Sequence, residues 1–129
     1  MAFSTTRLAT ALTATAPDGS LVRVLCKTAR GSMIQFSLPA GAVSRPIAHR
    51  TVDELWLCLS GRGRLWRRLA DQEETVELEP GVSASLPVGT SFQFRSDGAA
   101  PLVMVAVTMP PWPGEDEAVA AEGYSETTV

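Results

Sequence analysis

Glycines, prolines and small polar residues cut this chain into short β-prone runs, and that punctuation constrains the fold more than any other feature. Leu21 to Thr28 follows the turn signal Pro17-Asp18-Gly19-Ser20. Ser32 to Leu38 follows Gly31 and stops at Pro39-Ala40-Gly41, and Glu54 to Leu59 stops at Ser60-Gly61. Leu65 to Leu69, Thr75 to Leu78, Ser83 to Leu86 and Phe92 to Arg95 follow, parted by Pro80-Gly81, Pro87-Val88-Gly89 and Asp97-Gly98. Leu102 to Thr108 ends at Pro110-Pro111. Short strands at regular spacing with turns between them predict an all-β sandwich or barrel. No heptad, solenoid repeat or long amphipathic helix competes with that assignment.

With 129 residues, 45% of them apolar, the chain is one domain, 1–129, with enough apolar surface for a core without disulfide or metal staples. A net charge of −3 argues against nucleic acid as a partner. The local cluster Arg62, Arg64, Arg67 and Arg68 is read as a solvated turn and strand edge. Cys26 and Cys58 match no metal or redox spacing and are expected to be buried free thiols, which suits a reducing cytoplasm. No run approaches the ~20 apolar residues that span a bilayer, and the stretch after Arg7 is too rich in threonine for a signal-peptide core. The expectation is a cytoplasmic protein with no membrane partner.

Two spaced clusters narrow the fold further. The first is Gly41, five residues, Ile47-Ala48-His49, four residues, Glu54, six residues, Gly61. The second is Gly81, five residues, Pro87-Val88-Gly89, two residues, Phe92, three residues, Ser96. Together they resemble the two motifs of the cupin superfamily, over roughly Ser32 to Met109. The resemblance implies a small single-domain cupin: a double-stranded β-helix (jelly-roll) barrel, commonly a homodimer. It also implies where a metal would sit. Family members usually carry histidine at the places of Ile47 and Phe92, and asparagine at that of Ser96. His-x-His, the glutamate and the later histidine are then the ligands. In this chain only His49 and Glu54 match, and His49 is the sole histidine.

Strand alternation places Arg45, Ile47 and His49 on one face, Glu54, Trp56 and Cys58 on one face, and Phe92 and Phe94 on one face. If the barrel forms as the resemblance implies, its mouth is lined by Arg45, Ile47, His49, Glu54, Trp56, Phe92 and Phe94. Leu55, Leu57 and Leu59 fill the other face of their strand. That strand is therefore expected to be buried on both sides, by a second sheet or by the partner in a homodimer.

Such a metal site needs three protein donors converging on one ion. With two, the expectation is no cofactor; a divalent transition metal held by His49 and Glu54 is the alternative. His49 and Glu54 are then either a remnant pair that hydrogen-bond each other, or an acid/base pair beneath an apolar pocket. In the second case Arg45 would anchor an anionic group and Ile47, Trp56, Phe92 and Phe94 would wall the ligand. The functional expectation is a small, largely apolar or aromatic ligand. The reaction is a metal-independent proton transfer of isomerase, cyclase or lyase type. A non-catalytic binding cupin and a metal-dependent enzyme with an unusual ligand set are the competing readings. The tail, 110–129, cannot continue a strand through Pro110-Pro111-Trp112-Pro113. Trp112 is expected to pack back on the barrel, Glu115 to Ala121 to form one or two helical turns, and the last six or so residues to be disordered.

Overall fold

The computed structural model describes residues 3–114 and 116–129. After a short 3-10 turn at Leu8–Thr10 come eleven strands: β1 (Thr13–Thr15), β2 (Leu21–Lys27), β3 (Ser32–Leu38), β4 (Ile47–His49), β5 (Asp53–Ser60), β6 (Gly63–Leu69), β7 (Gln72–Leu78), β8 (Ser83–Leu86), β9 (Ser91–Ser96), β10 (Leu102–Met109) and β11 (Ala118–Ala120). They form two antiparallel sheets. One has the order β1-β2-β3-β10-β5-β8 and the other β11-β4-β9-β6-β7. Their inner faces share one apolar cluster, so the molecule is a jelly-roll barrel.

The turn glycines are needed for the barrel to close. At Gly61 the backbone is left-handed (φ +85°), and a Cβ there would run into the carbonyl oxygen of Pro101. Gly63, two residues on, lies against the carbonyl of Arg95 with equally little space.

Alternation along the strands sets the interior. Leu102, Met104, Ala106 and Thr108 point inward from β10, Leu38, Phe36, Ile34 and Ser32 from β3, and Cys58, Trp56 and Glu54 from β5. On all three strands the inward residues change from apolar to polar in the same direction. Leu38, Leu65, Leu78 and Leu102, none more than 1% exposed, seal one end of the barrel. An edge-to-face aromatic cluster occupies the middle, with Phe36–Trp56 centroids 4.7 Å apart, Trp56–Phe94 5.1 Å and Phe36–Phe94 5.6 Å. Each such pair adds about 1 kcal/mol beyond the area it buries.

Three expectations need correction. No second sheet covers the outer face of β5: within the single chain Leu55, Leu57 and Leu59 are 50%, 40% and 45% exposed on the outer side of the six-stranded sheet. Cys26 is half-buried, unlike the fully buried Cys58, although both are free thiols. The tail is neither helical nor loose. Glu115 lies outside the described residues, but Ala118–Ala120 extends the smaller sheet as β11, pairing Ala118 with His49 and Ala120 with Ile47. The unpaired edge of β4 offers ladder hydrogen bonds that two isolated helical turns could not match. Beyond β11 the chain is held by the buried side chain of Gln93. Its Oε1 accepts from the backbone N–H groups of Tyr124 and Ser125 (both 2.8 Å), and its Nε2 donates to the carbonyls of Ser44 (2.9 Å) and Ser125 (2.7 Å). Tyr124 stacks on Trp66 at 6.1 Å, and the Thr128 N–H donates to the Val43 carbonyl at 3.0 Å.

Candidate functional site

The polar end of the barrel is open, and it holds a cavity of about 300 Å³. Ile47, His49, Glu54 and Trp56 line it as the alternation predicts, with Phe36, Ile34, Thr108, Ser32, Asp18 and Trp112 among its other walls. Phe92 and Phe94 do not line it. Fully buried, they form the floor behind Trp56 and His49, with Phe92 5.6 Å from the Trp56 ring and 5.2 Å from the imidazole. Arg45 also departs from its expected place. It precedes β4, is exposed, and donates from Nε to the carbonyl of Val129 at 3.0 Å rather than entering the cavity. The last residues of the chain occupy it.

Glu54 sits on β5, 6% exposed. Its Oε1 accepts from the indole Nε1–H of Trp56 at 2.8 Å. Its second oxygen has no hydrogen-bond partner among the described residues. Burial pushes the carboxyl up to about 7, with the Trp56 hydrogen bond opposing and the charge of nearby Asp18 reinforcing. His49, on β4, is also 6% exposed and is clamped edge-to-face between Phe92 and Trp112 (5.1 Å). Its Nδ1 stands 4.0 Å from Glu54 Oε1, too far for a hydrogen bond, and has no partner among the described residues. The hydrogen-bonded remnant pair is therefore not formed. Burial lowers the imidazole to about 4, against the charge of Glu117. Around pH 7 the histidine is neutral and the glutamate is close to its midpoint. The order of the two pKa values is thereby inverted from that in water, where the imidazole keeps its proton to higher pH than the carboxyl.

Glu117 explains the setting of the β4–β5 loop. Its carboxylate accepts from the Thr51 N–H (2.6 Å), the Thr51 hydroxyl and the Val52 N–H (3.1 Å). Burial works against its charge, yet these bonds and His49 hold it below the usual carboxylate range. Trp112, anchored by its N–H on Ser32 Oγ at 3.0 Å, closes the side of the cavity next to His49, as its place in the proline-rich tail suggests. Asp18 and Thr108 are two of the lining residues that sequence reasoning passes over. Asp18 reads as an ordinary turn residue in Pro17-Asp18-Gly19-Ser20, and only the fold shows that the turn folds inward. Thr108 carries a signal: it continues the inward alternation of Leu102, Met104 and Ala106.

The sequence model of the cupin domain family matches residues 34–108. The chain belongs to the cupin family. A curated relative, an uncharacterized protein of Methanocaldococcus jannaschii, is 27% identical over 104 residues, covering 77% of this chain and 80% of the relative. Among solved structures, KdgF from Halomonas sp. superposes with a TM-score of 0.74 at 15% identity, over 87% of this cupin and 97% of KdgF. Oxalate decarboxylase from Bacillus subtilis gives 0.74 at 16%, over 88% of this cupin but only 30% of the enzyme's longer chain. At these identities the structural likeness concerns the fold, the double-stranded β-helix.

The metal that the family motif implies does not fit the donors of this cupin. Ile47 and Phe92, paired directly across β4 and β9, put hydrocarbon where two of the usual ligands stand. Among the described residues no three histidine, cysteine, aspartate or glutamate side chains converge on one point. His49 and Glu54 alone would leave most of an ion's coordination shell to water. No helix among the described residues is long and apolar enough to cross a membrane.

Proposed function

We propose that this cupin binds a small, largely apolar or aromatic molecule at the open end of the barrel. There it catalyses a metal-independent proton transfer of isomerase, cyclase or lyase type. The observation that carries the reading is the placement of Glu54. It is a carboxyl in an apolar, aromatic-walled cavity, raised to about 7, with one oxygen held by Trp56 and the other free. General acid/base catalysis works best when the group's pKa lies near the working pH. Glu54 is thus the group that gives and takes the proton. His49 is its neutral partner, able to donate one hydrogen bond to a developing oxyanion or to hold the substrate's orientation. Ile47, Trp56, Phe36 and Trp112 exclude water and fix the ring or chain of the ligand, with Phe92 and Phe94 supporting them from behind.

Deuterium incorporation tests this. The chelator-treated protein is incubated in D2O with a panel of small aromatic compounds bearing an acidic C–H, and exchange is followed by NMR. The expected result is enzymatic exchange that Glu54→Gln lowers at least ~100-fold, within the contribution usual for a positioned acid/base. His49→Ala is expected to lower it less. Exchange restored only by added metal would revive a metal-dependent enzyme using His49 and Glu54. Tight binding of panel members with no exchange in any variant would leave a non-catalytic binding cupin.

The working unit is a homodimer joined through the outer face of the six-stranded sheet. Leu55, Leu57 and Leu59, with Met33 at 41% exposure, form an apolar surface there that a lone chain leaves in water. Light scattering at micromolar concentration should give twice the mass of 13.7 kDa; a monomer mass would contradict the dimer. The two free thiols suit the reducing cytoplasm.

A further inference from the structure

The cavity contains a second carboxyl for which the acid/base scheme has no use. Asp18, 6% exposed, belongs to the turn between β1 and β2 and lines the same chamber as Glu54. Its Oδ1 takes both bonds from Ser20, the N–H at 2.9 Å and the hydroxyl at 2.7 Å. Its other oxygen has no hydrogen-bond partner among the described residues. The two carboxyls are thus built alike: one oxygen is fixed by a neighbouring residue and the other is left over. Burial raises both carboxyls, against the Trp56 bond at Glu54 and against the Ser20 bonds and Arg45 at Asp18, and the charge of Asp18 adds to the rise at Glu54. His49, buried and with no hydrogen-bond partner for its Nδ1 among the described residues, lines the same chamber.

Apart from the pull of the Arg45 charge on Asp18, the basic groups nearby do not balance this pair. Arg45 is exposed, does not line the cavity, and has its Nε engaged by the Val129 carbonyl. Lys27 belongs to the lining but is exposed, so its ammonium can stand in water at the rim while its stem meets apolar wall. Glu117, behind His49, adds a further negative charge. An anionic ligand would meet two buried carboxyls and no buried cation. A cationic ligand would meet two unused carboxyl oxygens and a wall containing the rings of Trp56, Trp112 and Phe36, the surroundings that favour organic cations.

We propose that the cavity selects a small organic cation, an ammonium or iminium group carried on an apolar or aromatic skeleton, with Asp18 and Glu54 as paired anchors. This rests on the reading of the cavity as the ligand site. It names the class of ligand that the acid/base pair would act on. Binding such a cation favours the ionised form of both carboxyls, so it is coupled to proton release and strengthens as pH rises.

Three probes of nearly equal shape test it on the full-length protein: benzylamine, benzyl alcohol and benzoate, titrated at pH 7.5 with the fluorescence of Trp56 and Trp112 as the signal. The expected order is benzylamine at least tenfold tighter than benzyl alcohol, with benzoate weakest. Calorimetry in buffers of different ionisation enthalpy should show protons released with the amine alone. Asp18→Asn should weaken benzylamine about tenfold and leave benzyl alcohol unchanged. The comparison among probes in the unmodified protein decides the matter even if that variant folds poorly. Equal binding of all three would overturn the charge selection and leave the ligand site standing. Benzoate binding as tightly as benzylamine would overturn the proposal outright. Binding of none would overturn the ligand site as well.

Discussion

The two ends of this barrel share strands β3 and β10 and do opposite things. At the closed end β3, β6, β7 and β10 present Leu38, Leu65, Leu78 and Leu102, packed so that almost none of their surface remains. At the open end β3, β5 and β10 present Ser32, Glu54 and Thr108 around a cavity of about 300 Å³. The backbone hydrogen bonding continues from one end to the other, so the ladder does not make the difference. The inward side chains do, changing character two residues at a time. One end stabilises the fold, and the other holds ionisable groups in an environment that displaces both from their usual titration range.

Leucine truncation separates the ends by the largest margin. Leu102→Ala should cost about 3–4 kcal/mol in chemical denaturation, because the sealed end has no room to relax. Ile34→Ala, on the wall of the existing cavity, should cost under about 2 kcal/mol. Equal costs would mean that the open end is packed as tightly as the closed one.

The second margin is electrostatic and belongs to the open end alone. Glu54 has a folded-state pKa of about 7 against an ordinary 4.5, so the stability it contributes is complete below about pH 4.5 and is lost as pH rises through about 7. His49 runs the other way. Its folded value of about 4 lies below the ordinary 6.5, so its contribution is complete above 6.5 and is lost as pH falls through about 4. Each slope amounts to roughly 3 kcal/mol, and between pH 4.5 and 6.5 they oppose each other in the intact protein. Glu54→Gln should therefore leave a protein that weakens on acidification from pH 6.5 to 4. His49→Gln should leave one that weakens on raising the pH from 4.5 to 7. Stability curves against pH for the two variants check this directly; parallel curves would remove the account of the buried pair.

How far these ends could be read beforehand differs as well. Gly41, Gly61, Gly81 and Gly89 with Pro87 punctuate the strands, and alternation from Leu102 to Thr108 assigns faces, so the barrel and its inward residues were legible. Ile47 and Phe92 announced that the metal donors were incomplete. Asp18 was not legible, because an aspartate in a turn is nearly always solvated, and its burial depends on where that turn lands relative to Glu54. Arg45 misled for a related reason: alternation gave its face correctly only where a strand exists, and β4 begins at Ile47. The tail was misjudged because its stability comes from Gln93 and the open edge of β4, partners distant in sequence.

Smaller effects lie outside the two ends. Gln93→Ala removes four hydrogen bonds to Ser44, Tyr124 and Ser125. It should cost about 1–3 kcal/mol and expose Glu122 and Glu126 to a glutamate-specific protease. Unchanged proteolysis would show that Tyr124 and β11 hold the tail without it. Leu57→Glu, on the outer sheet face, should change the stability of the folded chain by less than about 0.5 kcal/mol while abolishing the proposed dimer in light scattering.

The central claim is that the open end inverts the proton affinities of Glu54 and His49. A single NMR titration of protein labelled at the glutamate carboxyl carbons and histidine ring nitrogens reads both groups in one sample. The account predicts a Glu54 midpoint near 7 and a His49 midpoint near 4, so that around neutral pH the histidine is neutral and the glutamate shares a proton with solvent. Midpoints near 4.5 for Glu54 and 6.5 for His49, the values of the same groups in water, would contradict it.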